Sequence, residues 1–128
     1  MTLQPKAKKV ELDISGSEYV RILGGPPESV TMRSGYVVLL PSQSVGRHST
    51  GECEEMVVVL QGNGEMLFGD GSAMQLRPHV VIYCPPETEH DVRNSGKRAL
   101  RYIYMVARAR WRKSEGVALQ MGDQSPSS

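Results

Sequence analysis

Turn-forming residues interrupt this chain so often that no apolar run can grow into a long element. Thirteen glycines and eight prolines are spread through the 128 residues rather than bunched. Between them lie short stretches rich in β-branched and apolar side chains, the pattern of many strands joined by tight turns. YVRIL (19–23) stops at Gly24-Gly25-Pro26-Pro27, and SVTMR (29–33) and YVVLL (36–40) follow before Pro41. MVVVLQ (56–61) is the strongest strand signal, and Gly62-Asn63-Gly64 turns it into EMLF (65–68). Gly69-Asp70-Gly71 suits a hairpin; then come AMQL (73–76), VVIYC (80–84), HDVRN (90–94) and ALRYIYMVA (99–107). No segment between residues 19 and 107 has a helical period with caps. The chain should therefore be all-β, about nine or ten strands in a sandwich or barrel.

The length fits one domain with one real core. A polar arm over residues 1–18, whose weak alternation in VELDIS leaves room for a closing edge strand, should precede a barrel over 19–107. An extension over 108–128 begins basic and ends polar, with room for a short helix around Arg108–Lys113 and a disordered end. Fifteen Lys and Arg against 14 Asp and Glu produce no field that favours nucleic acid, and a single Trp and a single Phe offer no stacking platform. No run of roughly 18 apolar residues is present to span a membrane. The N-terminal MTLQPKAKKV carries charge without an apolar segment after it, unlike a signal peptide, so a cytoplasmic protein is expected. Cys53 and Cys84 are too few for a disulfide framework and read as reduced thiols.

The chemistry concentrates in GRHSTGECEEMVVVLQGNG (46–64) and CPPETEHDVRN (84–94). His48 and Thr50 are two apart and share a strand face, and Glu55 opens the next strand with Val57 and Val59 on its face. If that face looks into a barrel, the three converge from adjacent antiparallel strands. His90, after a Pro-rich loop, opens another strand. Two imidazoles and a carboxylate suit a divalent metal with positions left open for water or substrate. Glu52 and Glu54 are rival carboxylates, because a one-residue slip reverses which side chain faces inward; the spacing from Thr50 and to Gly62 favours Glu55. Tyr83, Cys84, Tyr102 and Tyr104 are candidates to line the same pocket, while His79 beside Pro78 reads as an exposed turn residue.

These stretches resemble the two motifs of the cupin superfamily over residues 36–106. The first motif, a Gly, a His-x-His pair, a Glu and a later Gly, corresponds to Gly46, His48, Thr50, Glu55 and Gly62. The second, a Gly, a Pro-x-Gly, a His and an Asn, corresponds to Pro85, His90 and Asn94, with His79 and Glu87 where the family has glycines. The resemblance implies a double-stranded β-helix, or jelly-roll barrel, of two antiparallel sheets, and a homodimer paired through an edge strand. It implies one divalent ion (iron, manganese, zinc or nickel) on His48, Glu55 and His90. Thr50 replaces a family histidine, which either leaves a coordination position open or places a hydroxyl beside a metal-bound water. The expected function is that of a metal-dependent enzyme, oxygenase-like or isomerase-like, acting on a small organic molecule. The alternative is a non-catalytic barrel that binds or senses a small ligand, with or without metal.

Overall fold

A computed structural model describes residues 4–110. Among them are nine strands: β1 (Val20–Gly24), β2 (Arg33–Leu39), β3 (His48–Ser49), β4 (Cys53–Gln61), β5 (Gly64–Phe68), β6 (Ala73–Leu76), β7 (Val81–Cys84), β8 (Glu89–Arg93) and β9 (Leu100–Arg108). They form two antiparallel sheets, one ordered β1-β2-β9-β4-β7 and the other β3-β8-β5-β6. The turn spacing predicts this all-β chain, and the cupin resemblance implies this two-sheet jelly roll. No helix long and apolar enough to cross a membrane occurs among the described residues.

The longest strands, β4 and β9, pair at the centre of the larger sheet, from Cys53 opposite Arg108 to Gln61 opposite Arg101. Their alternation decides what enters the barrel. Glu55, Val57 and Val59 of β4 are buried, and Leu100 and Tyr102 of β9 join them. The smaller sheet answers with Met66, Leu76 and Val92, so one core forms between the layers. Burying each such side chain contributes about 1.5–3 kcal/mol. The opposite face of β4 and β7 leaves Met56, Val81 and Tyr83 exposed.

Three expected elements differ. SVTMR is not a strand before Arg33: the Glu28 carboxylate accepts from the Gly24 amide at 2.7 Å, and the Ser29 hydroxyl donates to the Met32 carbonyl. Local side-chain bonds satisfy this backbone in place of a ladder. VELDIS is likewise no strand, because Asp13 accepts from the Ser15 amide and hydroxyl and turns the chain. Beyond that turn the arm lies on the barrel wall, where the Tyr36 hydroxyl donates to the Ile14 carbonyl and Arg101 to that of Gly16. Arg108, expected to open a helix, closes β9 as strand; residues 111–113 of that helix and the proposed disordered end lie outside the described residues.

The Gly62-Asn63-Gly64 turn shows why β5 can leave β4 so sharply. Gly62 has φ +88°, and a Cβ there would strike the Ala99 carbonyl and lie 2.8 Å from the Leu100 Cα. Both obstacles are backbone, so neither can rotate away. Gly62→Ala should destabilise the fold by roughly 3 kcal/mol, combining backbone strain with overpacking. Chemical denaturation of the variant against wild type measures this directly.

Candidate metal centre

β3 and β8 pair so that His48 and His90 stand directly opposite each other. Their rings therefore leave the smaller sheet on the same face, with centroids 4.4 Å apart and planes at 58°. Glu55 arrives from β4 in the other sheet, across the barrel interior. Convergence from adjacent strands, the arrangement expected from the spacing, is thus corrected to convergence across the sandwich. The short turn after Thr50 carries the chain from one sheet to the other. One ligand atom from each of His48, Glu55 and His90 lies within 4.8 Å of the others.

The imidazoles are oriented by backbone. His48 Nδ1 lies 2.9 Å from the Gly46 carbonyl, and His90 Nδ1 lies 3.1 Å from that of Thr88. A carbonyl can only accept, so each Nδ1 carries its proton and each Nε2 is left to the site. Gly46 holds its carbonyl in place from φ +107°, with its amide donating to Asp91 Oδ1 at 2.8 Å. His90 Nε2 donates to Glu55 Oε1 at 2.8 Å. His90 is fully buried and Glu55 is 9% exposed. The bond to Glu55 raises the His90 pKa above its ordinary 6.5, burial opposes the shift, and the Thr88 carbonyl adds to it. An exposed imidazole (His48) and a buried one (His90) beside the Glu55 carboxylate fit a divalent cation, which would take the place of the proton between His90 and Glu55.

Thr50 does not offer its hydroxyl to the centre. It donates to the Pro85 carbonyl at 2.7 Å and accepts from the Thr88 amide at 3.0 Å. Its own amide donates to the Thr88 carbonyl, the group that holds His90 Nδ1. The residue standing where the family has a histidine therefore clasps the Pro-rich loop to β3. Asn94 is a similar fastening: buried, it donates to the Leu39 and Arg98 carbonyls and accepts from the Gly96 amide, each at 2.8 Å. His79 and Glu87, at the family's glycine positions, keep the left-handed backbone with φ 73° and 56°.

The remaining candidates separate by strand parity. Tyr83 does not line the pocket; it faces outward on β7 and donates to Glu54 Oε1 at 2.8 Å. Cys84 does point inward, but its sulfur packs 3.3 Å from Met66 Sδ in the core. Burial, then the Glu55 charge, pushes its thiol up to about 11, and the side chain packs as part of the core. Glu52 turns outward to Arg108 at 2.8 Å. Tyr102 and Tyr104 do line a cavity of about 470 Å³ that opens beside His48, Thr50 and Glu55. Burial keeps both phenols protonated, Tyr104 being pushed up to about 12. Tyr19 and Arg33 also reach this cavity, and neither was expected there. The one available signal was parity, since Arg33, Val37 and Leu39 share a face of β2 that meets Val106, Tyr102 and Leu100 on β9.

A jelly-roll barrel with a His, Glu, His set facing its interior cavity defines a class of small β-barrel proteins. The chain belongs to the cupin family: residues 35–106 match its cupin domain (Cupin_2). No functionally curated protein matches the sequence significantly. Among solved structures, the cupin domain of Cnp3 from Schizosaccharomyces pombe is similar with a TM-score of 0.64 at 18% identity, covering 83% of this chain and 72% of that one. A cupin 2 conserved barrel domain protein from Salinispora arenicola CNS-205 is similar with a TM-score of 0.64 at 18% identity, covering 91% and 99%. A Klebsiella pneumoniae protein with a double-stranded β-helix domain has a TM-score of 0.61 at 20% identity over 71% and 79%. These likenesses establish the fold.

Two outcomes follow from the geometry. Metal must displace the proton that the raised His90 pKa holds at Nε2, so affinity for a divalent cation should rise with pH and keep rising above pH 6.5. Below the His90 pKa it should fall by about tenfold per pH unit, one proton being released per ion bound; cobalt(II) titrations from pH 5.5 to 8.5 read this slope. Thr50→Val keeps the shape and removes the clasp, leaving the Thr88 amide unsatisfied. It should lower stability by about 1–3 kcal/mol in denaturant melts of the metal-free protein.

Proposed function

We propose that this cupin is a metal-dependent enzyme acting on a small organic molecule, with His48, Glu55 and His90 holding one divalent ion. The observation that carries the reading is the convergence of three ligand atoms within 4.8 Å at the wall of a cavity. Both imidazoles present Nε2 because backbone carbonyls occupy their other nitrogens. A divalent ion held there supplies Lewis-acid polarisation of a substrate oxygen or, as redox-active iron, oxygenase-like chemistry.

The chain's own residues supply the rest. His48 stands exposed near the opening, while Glu55 and His90 are sunk in the core, so substrate approaches from the His48 side. Val37, Val45, Val92 and Val106 form apolar walls that displace water around a bound molecule. Tyr102 and Tyr104, kept protonated by burial, donate hydrogen bonds rather than accept protons.

That last property also favours the second reading, a non-catalytic barrel that binds a small ligand. Burial pushes the Tyr102 and Tyr104 phenols away from neutral pH, so neither serves as a general base. Elemental analysis separates metal-dependent from metal-free function. Purified wild type should carry one divalent ion per chain, and His48→Ala and His90→Ala should each carry at least about tenfold less after identical dialysis. Equal metal in all three proteins would overturn the assignment. Iron in the wild-type site would favour the oxygenase-like branch; zinc, manganese or nickel would favour the isomerase-like one.

A further inference from the structure

The cavity lined by His48 and Glu55 also contains a cation that lacks a carboxylate partner among the described residues. Arg33, the first residue of β2, lines it together with Tyr19 and Tyr104. Among the described residues its guanidinium has no carboxylate partner, whereas Arg21, Arg47 and Arg108 each have one. Its stem is packed in place: Gly25, at φ +90°, leaves room so tight that a Cβ there would lie 3.2 Å from the Arg33 Cγ. Arg33 itself is exposed, so its head stands at the rim of the cavity.

Beside it lies a pair of phenols. Tyr19 Oη and Tyr104 Oη are 2.7 Å apart, one donating to the other. They meet over Gly35, where a Cβ would collide with Tyr19 and lie 2.8 Å from Tyr104 Cε1. Two hydroxyls share one hydrogen bond, so the second proton remains to be donated to something in the cavity. Tyr104 lies in the field of Arg33, which opposes the rise in its pKa. The positive head and the spare hydroxyl proton thus serve the same cavity, which Val37 and Val106 also line.

We infer that this end of the cavity binds the carboxylate of a small organic acid, with Arg33 pairing its charge and the Tyr19–Tyr104 hydroxyls donating to one oxygen. Guanidinium and a neutral hydroxyl match a carboxylate, and charge-assisted bonds in a partly desolvated site give it preference over a neutral group. The volume of about 470 Å³ falls within the range of small-molecule pockets. This rests on the proposed metal site for the acid's other end. A second oxygen of the same molecule would face His48, Glu55 and His90, making the substrate a short acid with two oxygen-bearing groups.

Calorimetric titration of malonate into wild type, Arg33→Gln, Arg33→Lys and Tyr104→Phe tests the inference, with malonamide and inorganic phosphate as controls. Each protein is measured with cobalt(II) and without it, its metal content assayed and its fold checked by thermal melting. In Arg33→Gln malonate should bind about tenfold or more weakly, with cobalt content unchanged. Arg33→Lys should recover part of the loss, Tyr104→Phe should show a smaller one, and malonamide should bind far more weakly than malonate. Equal malonate affinity in wild type and Arg33→Gln overturns the inference, as does malonamide or phosphate binding as tightly as malonate. Should no protein retain cobalt, the metal reading fails on that assay. The carboxylate inference then stands or falls on the same Arg33→Gln comparison made without metal.

Discussion

Glu55 and His90 meet in the interior of the barrel, one from each sheet, joined by a 2.8 Å hydrogen bond. Removing a carboxylate and an imidazole from water is costly unless each satisfies the other. The pair does so, and no buried side-chain nitrogen or oxygen among the described residues lacks a partner. The same bond has two further consequences. It lies between the two layers where the core ends and the cavity begins, and it aims both groups at one point. This pairing is thereby also two-thirds of the candidate metal cluster, and His48 completes it from the opposing position on β3.

The precision of that point depends on backbone rather than on the ligands. Gly46 and Thr88 offer carbonyls that fix the ring nitrogens, and Thr50 holds Thr88 in turn through two hydrogen bonds. Replacing a family histidine by Thr50 therefore does more than delete a ligand. It turns the position into a fastening for the loop that carries Thr88, whose carbonyl orients His90. The family's turn glycines show the complementary case. His79 and Glu87 adopt the left-handed backbone that glycine takes at little cost, so the turns persist although the residues have changed.

The cavity divides into chemically different ends. Near β3 lie His48 and the Glu55 carboxylate; near the start of β2 lie Arg33 and the paired phenols; Val37, Val45, Val92 and Val106 are among the other lining residues. Tyr19 reaches the cavity from outside the regular strands because Gly35 on β2 has no side chain to obstruct it. A glycine in a central strand, ordinarily a weakness in a sheet, is here the gap through which a distant phenol enters.

Much of this was legible before any coordinates. Gly and Pro punctuation between alternating apolar runs determined an all-β chain, because such residues end strands wherever they fall. Parity placed Glu55, Val57 and Val59 on one face, and the order of His48, Glu55 and His90 identified the ligand candidates. Where local side chains compete for the backbone, as Glu28, Ser29 and Asp13 do, β-like composition misled. Parity also cannot say which face is inner, so Tyr83 looked like a pocket residue until β7 paired with β4 and turned it outward. Only the tertiary structure decided that Glu55 approaches from across the sandwich, that the Thr50 hydroxyl is spent on the loop, and that Arg33 and Tyr19 share a cavity with His48. Those facts rest on register and on packing between sheets, interactions between residues far apart in the chain. Sequence periodicity describes each strand alone and carries no information about which strand it will face.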